Sequence, residues 1–483
     1  MRAETVRALG IFLFLAGLIS CVYLFSIPDV VVTGYAMAFS AYPMSVKSPE
    51  EKISPYLKEE IGKVSPETRI PVVIMLTAPE GSMAVAQQQA VMQTLQAADF
   101  QLTLSIVNVA NALAGTIPAE KIDDIAQDPN VDQILYDGFF FSLSDLNVRC
   151  LKDTVPQIGA DKAWAQGYTG QGVTVIIIDS GVQNSHPYLM RNGQSLVLKE
   201  YTIVPGASDY TLWHGTHCAG IIASQDSTYK GVAPGIRGFV DIVAFDSQGQ
   251  AELSWVMKAL DIAYKEATSI DGPAVSTNSW GAPPYNVPEF NAVREATLKL
   301  ADKIPVVFAA GNSGPGSGTI ACPGDADKNG NEVITVGAVD KSNNIAWFSS
   351  RGPDGWGSEH NEPDVSAPGV HVVSTVPGGM NSASGTSMAT PHVAGTVALM
   401  LSKNAGLSNK ECLDILTKSA MDRGQAGFDY AYGAGVIQAD KAVALTPGGI
   451  PQVPSVVWQV TAVVSLLVGI LLAINPEVIA TRT

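Results

Sequence analysis

Five runs between residues 172 and 339 carry apolar or small residues along almost their whole length: GVTVIIID (172–179), GFVDIVAF (238–245), AVSTNSW (274–280), IPVVFAAG (304–311) and EVITVGAV (332–339). A strand with one wet face alternates apolar and polar residues. Runs without that alternation suit strands buried on both faces, which belong to a parallel sheet covered by helices. Between them, ELSWVMKALDIAYKEA (252–267) and EFNAVREATLKLAD (289–302) repeat apolar residues at helical spacing, as crossover helices do. The fold class predicted for residues 161–445 is therefore α/β, a parallel sheet with helices on both faces.

Residues 70–141 follow a different plan. IPVVIML (70–76) reads as a strand, MAVAQQQAVMQTLQAA (83–98) as a helix, LTLSIVNV (102–109) and ALAGTI (112–117) as strands, PAEKIDDIAQD (118–128) as a helix opened by proline, and VDQILY (131–136) as a strand. This βαββαβ order predicts a small separate domain. Polar stretches at 42–69 and 142–160 read as a linker and a connector.

The two ends point to a membrane. ALGIFLFLAGLISCVYLFSI (8–27) follows Arg2 and Arg7, so residues 1–41 read as a signal peptide or a signal anchor. VVWQVTAVVSLLVGILLAI (456–474) is uncharged and just long enough, at about 1.5 Å per residue, to cross a bilayer. The Pro/Gly-rich linker 446–455 precedes it, and a tail, 475–483, carries Arg482. Basic residues at both outer ends place the termini in the cytosol and residues 28–455 outside. A net charge of −16 argues against a nucleic-acid partner, since phosphate binding needs clustered Lys and Arg. Cys21, Cys150, Cys218, Cys322 and Cys412 form no C-x-x-C pair, which excludes a zinc ribbon.

In an open parallel sheet, ligands bind beyond the carboxyl ends of the strands. Asp179 ends one predicted strand and Asn312 follows another, while His214 in WHGTHCAG and Ser387 in SGTSMATP stand at predicted helix starts. Taken singly, these residues read as caps or loop residues. Together they offer a nucleophile, a base, a carboxylate to orient the base, and an amide donor. Pro391 is expected in the first turn of the Ser387 helix, where its missing N–H is tolerated.

The motifs DSGVQNSHPYL (179–189), HGTHCAG (214–220), FSSRGP (348–353), EPDVSAPGV (362–370) and GTSMATPHVAG (385–395) follow one another in one chain. In that order they resemble the subtilisin-like serine proteases, the subtilase family, and the match extends over residues 70–445. The resemblance implies a subtilisin-like sheet and a serine endopeptidase acting on peptides or proteins through Asp179, His214 and Ser387, with Asn312 in the oxyanion hole. It implies that residues 70–141 are an inhibitor-like propeptide, with self-cleavage falling in 137–150. It also implies a substrate groove between Ser279-Trp280-Gly281 and Gln248-Gly249-Gln250, with Ala309, Ala310, Gly311 and Asn312 completing the wall of a neutral P1 pocket. The chemistry requires no cofactor.

Asp325, Asp327 and Asn329 form D-x-D-x-N-G, half of a calcium loop, but Val336 stands where its final glutamate belongs. A structural calcium ion and a polar turn are both open readings. The family's H-P-D-L segment has Tyr188 at its third position here. His217 and His392 read as buried structural histidines, and Cys218 as a buried thiol that makes the enzyme sensitive to mercury.

Overall fold

The computed structural model describes residues 47–78, 81–142, 151–328, 331–353 and 362–448. The N-terminal module contains β1 (Arg69–Leu76), α1 (Ser82–Ala97), β2 (Gln101–Ile106), β3 (Ala112–Pro118), α2 (Ile122–Ala126) and β4 (Val131–Tyr136), the expected βαββαβ order. Its antiparallel sheet runs β2-β3-β1-β4. A further strand the periodicity did not reveal, β5 (Phe139–Ser142), follows directly.

The second layer system is a seven-stranded sheet of β6 (Thr174–Asp179), β7 (Val197–Thr202), β8 (Gly238–Val243), β10 (Ala274–Asn278), β12 (Val306–Ala309), β13 (Ile334–Val339) and β14 (Val365–Pro368). Two short strands, β9 (Gln250–Glu252) and β11 (Trp280–Gly281), lie outside it. The strand order is β14-β13-β12-β10-β6-β8-β7, and every pair is parallel. Each of the five runs singled out by sequence supplies a strand of this sheet.

The helices that matter for the site are α3 (Trp213–Ala223), α4 (Leu253–Ser269), α5 (Pro288–Ala301) and α6 (Thr386–Lys403). Alternate residues of β6 face opposite layers. Val175 and Ile177 join a core with Ala219, Met388 and Val393, whereas Ile176 and Ile178 join one with Val256, Met257 and Val293. Two buried faces explain why the strand carries no polar alternation.

The module's sheet is covered twice. Val72 and Ile74 pack on its own helices with Val91, Leu95 and Ile122, while Val73, Ile106 and Leu135 pack with residues of α4 and α5. Polar contacts fix the docking. Asp261 of α4 accepts from the backbone N–H groups of Val107 (3.3 Å) and Asn108 (2.6 Å), Lys258 reaches the Ser105 carbonyl (2.9 Å), and Lys299 reaches that of Val109 (2.9 Å).

Among the described residues no helix is long and apolar enough to cross a membrane. The apolar runs 8–27 and 456–474, and most of the connector 142–160 before residue 151, lie outside them.

Candidate active site

Asp179 is the last residue of β6, and α3 begins beside it at Trp213. The close approach depends on Gly215, where a Cβ would stand 2.5 Å from the Gly181 carbonyl oxygen. His214 is thereby set with Nδ1 2.8 Å and 3.0 Å from the two Asp179 carboxylate oxygens. Trp213 packs edge-on against the His214 ring at 5.6 Å. Ser180, which the sequence reading passed over, locks this pair. Its N–H (2.7 Å) and hydroxyl (3.1 Å) both donate to Asp179 Oδ1, and its Oγ accepts from the Gly215 N–H (3.1 Å).

Ser387 lies at the mouth of α6, where the helix N-terminus favours developing negative charge. Its hydroxyl donates to the Ser279 carbonyl at 3.1 Å. His214 Nε2 has no hydrogen-bond partner among the described residues, which suits a base whose contact with the nucleophile tightens when substrate is bound. Asp179, His214 and Ser387 are all buried, and β5 of the same chain lies along the adjoining groove.

Asn312 follows β12. Its Oδ1 accepts from the Thr386 N–H (2.9 Å) and the Thr386 hydroxyl (2.9 Å). A backbone N–H can only donate, so Oδ1 is fixed as acceptor and the amide NH₂ is turned the other way. Thr386 also donates its position to the preceding loop by accepting from the Gly311 N–H at 3.2 Å. Gly311 has φ +105°, and a Cβ there would meet Ser350 Oγ at 2.8 Å, so this position favours glycine. Ala310 and Ala321 are joined by a backbone hydrogen bond of 2.8 Å beside it.

Pro391 corrects the sequence reading. It lies six residues into α6, in the second turn, where its missing N–H would have bonded the Ser387 carbonyl. That carbonyl instead accepts from Ser279 Oγ (3.0 Å) and Cys218 Sγ (3.5 Å). Ser279 therefore supports the start of the helix that carries Ser387. Burial pushes the Cys218 thiol well above its ordinary pKa. Its sulfur, the His214 ring and the Asp179 carboxylate present ligand atoms within 4.8 Å of one another, a set that suits a soft metal such as mercury.

The groove rim differs from the expectation on one side. Trp280 and Gly281 pair with β5, and the Trp280 ring is buried against Phe308 (4.9 Å) and Phe245 (5.8 Å). On the other side only Gln250 of the expected trio forms strand, together with Ala251 and Glu252. Gln248 and Gly249 belong to a turn closed by Asp246, whose carboxylate accepts from the Gln248 and Gln250 N–H groups.

The expected calcium ligands do not fit a cation at Asp325. Both its oxygens are engaged by Arg294, Nε at 2.8 Å and the second guanidinium nitrogen at 2.5 Å, in a buried pair. Asp327 begins a two-residue strand paired with Asn331–Glu332, and Asn329 lies outside the described residues. His217 Nε2 donates to the Val372 (3.1 Å) and Asn381 (3.2 Å) carbonyls, and burial lowers its pKa to about 3. His392 bridges the Met388 carbonyl and the Thr154 hydroxyl, each at 2.8 Å, and burial lowers its pKa to about 4. Both are neutral structural residues.

Residues 170–435 match the family model of the subtilase family. Subtilisin E of Bacillus subtilis (strain 168) is 35% identical over 336 residues, which cover 69% of this chain and 80% of that protein. A subtilisin of Bacillus pumilus is 38% identical over 292 residues, covering 60% and 97%. In three dimensions the chain resembles fervidolysin from Fervidobacterium pennivorans, a keratinolytic enzyme related to subtilisin. The TM-score is 0.62 at 22% identity, covering 79% of this chain and 62% of that one.

Proposed function

This chain belongs to the subtilase family and is a subtilisin-type serine endopeptidase, and from that premise we propose that Asp179, His214, Ser387 and Asn312 carry out its reaction. Ser387 Oγ attacks the scissile carbonyl while His214 Nε2 takes its proton and later returns it to the leaving amine. Asp179 holds the Nδ1–H and stabilises the imidazolium. The Asn312 amide and the Ser387 N–H receive the developing oxyanion. The observation that carries this reading is the convergence on one helix mouth. The Asp179–His214 pair at 2.8 Å shares its surroundings with Cys218, whose sulfur reaches the Ser387 carbonyl, and the Asn312 side chain is tied to Thr386, the residue before Ser387. The test is hydrolysis of a chromogenic peptide. Ser387→Ala is expected to lower kcat by on the order of 10⁶ without loss of fold, and undiminished turnover by that variant would refute the assignment.

The enzyme is made as a self-inhibited, self-processing precursor, with the βαββαβ module as propeptide. Support comes from β5, which continues the module into the groove between β9 and β11, in the manner of an added strand. Its substrates are peptides or proteins bound in the same way, with an apolar or broad preference at the pocket walled by Ala310 and Gly311. The enzyme is exported and held at the cell membrane with its catalytic domain outside. That reading rests on the lengths of runs 8–27 and 456–474 and on Arg2, Arg7 and Arg482. Removing residues 456–483 should release the mature enzyme from membranes washed with alkaline carbonate; retention of the truncated form would sink the tether.

A further inference from the structure

We propose that this chain carries a second binding site, a cavity between the N-terminal module and the catalytic domain that takes a small arylalkyl primary amine in its ammonium form. The cavity measures about 460 Å³, within the range of roughly 300–1,000 Å³ in which proteins hold small organic molecules. Tyr56, Glu59 and Tyr136 line it from the module, and Tyr285, Glu289 and Phe290 line it from the catalytic domain. Neither part alone makes the site. It is also distinct from the substrate groove. Strand β5 lies along that groove, whereas the cavity is lined by Gly138, the residue before β5, and by no described residue of β9 or β11.

The acidic group in the site is Glu289, the second residue of α5, which is 3% exposed. Its Oε1 accepts from the Ser54 hydroxyl and from the Tyr136 N–H at 3.2 Å. Both donors belong to the module, so this carboxyl group bridges the two parts. Its Oε2 is buried and has no hydrogen-bond partner among the described residues. No Lys, Arg or His is among the described residues that line the cavity, and Glu59 at its edge is answered by Lys63 at 2.8 Å. A buried carboxylate oxygen without a donor is unfavourable, and a cationic donor offsets that best.

The geometry selects among cations. Oε1 already takes two donors, so one oxygen is left, and a guanidinium cannot make its paired contact there. A primary ammonium acts as a point charge and needs only one oxygen. The rings supply the rest. Tyr56 and Tyr136 meet edge to face at 5.3 Å, and Tyr285 and Phe290 stack at 6.3 Å. Such rings cover the apolar body of an amine and attract its charge. Tyr56 and Tyr285 are exposed, so their side chains can swing aside and admit the ammonium group to Oε2. Because the ligand touches both parts, it binds the docked form and strengthens the docking by mass action.

The test is calorimetric titration of the full-length Ser387→Ala chain in detergent with phenethylamine hydrochloride, the substitution keeping module and catalytic domain in one chain. Saturable binding is expected, with a Tm that rises with amine concentration. Phenethyl alcohol, the neutral isostere, is expected to bind about tenfold more weakly or worse, and Glu289→Gln to weaken the amine by a similar factor, since each removes a charge-assisted hydrogen bond. Glu289→Gln retains an acceptor for the Ser54 and Tyr136 donors. Tyr285→Ala, at an exposed ring, provides a second variant that leaves the docking contacts alone and is expected to weaken the amine several-fold. The absence of saturable heat with phenethylamine would mean that solvent answers Oε2, and overturns the proposal. Equal affinity for amine and alcohol, or an amine affinity unchanged in both variants, overturns it too. Phenethylguanidine binding as tightly as phenethylamine overturns the choice of an ammonium group.

Discussion

Asn312 can serve an oxyanion only if its amide points at it, and that orientation is set by Thr386. The residue before the nucleophile supplies both an N–H and a hydroxyl to Asn312 Oδ1. Removing the donor should differ from loosening it. Asn312→Ala is expected to lower kcat by on the order of 10²–10³ with KM little changed. Thr386→Val, which keeps the backbone N–H, is expected to give a smaller loss of the same kind. Steady-state kinetics on a peptide substrate separate the two, and an effect of Thr386→Val confined to KM would argue against an orienting role. Of the four residues proposed to react, Asp179, His214 and Ser387 each sit in a distinctive motif, whereas Asn312 is picked out only by its place after a predicted strand. Thr386 and Ser180 lay in the same motifs but were hidden, because a hydroxyl's hydrogen-bond partner is decided by the fold and not by spacing.

At the level of elements, α6 carries a proline in its second turn and survives because its freed carbonyl is satisfied from outside. Ser279 Oγ is the stronger of the two donors to that Ser387 carbonyl. Ser279→Ala should therefore cost about 1–3 kcal/mol in denaturant unfolding, the penalty for an underbonded buried carbonyl. A cost near zero would mean that Cys218 suffices. The turn that carries Asp325 makes a second prediction. Arg294 also bonds the Tyr285 carbonyl (3.1 Å) and Asn291 Oδ1 (2.9 Å), so it ties α5 to that turn. Arg294→Leu should destabilise the protein by about 3–5 kcal/mol, because it removes the guanidinium that neutralises a buried carboxylate. Thermal and denaturant unfolding check this. The sequence pattern D-x-D-x-N-G could not distinguish a cation from a guanidinium thirty-one residues upstream, since both answer the same carboxylates. Strand β7 was missed for another reason: as an edge strand it keeps Lys199 and Glu200 exposed and breaks the apolar run that marked its neighbours.

On the scale of the whole molecule, the module and the catalytic sheet share one apolar layer and meet at buried carboxylates. Burial pushes the Asp137 carboxyl up to about 7, with Glu252 adding to the effect. Unfolding returns it to the ordinary aspartate range, about 3.9. A pKa raised in the folded state gives stability that is fully present below about pH 4 and lost as pH rises through about 7. In the Ser387→Ala precursor, Asp137→Asn should thus gain Tm relative to its parent between pH 4 and pH 8. A gap independent of pH would show that this carboxyl titrates normally. The module's βαββαβ order was readable from periodicity, whereas its junction with the groove was not. Strand β5 is four residues long and owes its form to two partners distant in sequence.

The proposed reaction depends on Ser387 being the nucleophile. The most direct measurement is labelling of the matured enzyme with a fluorophosphonate probe, followed by peptide mass mapping. The expected result is a single adduct on Ser387, absent from Ser387→Ala and strongly reduced in His214→Ala. Peptide hydrolysis that persists while Ser387 stays unlabelled, or an adduct on another hydroxyl of the SASGTSMAT segment, would contradict the account.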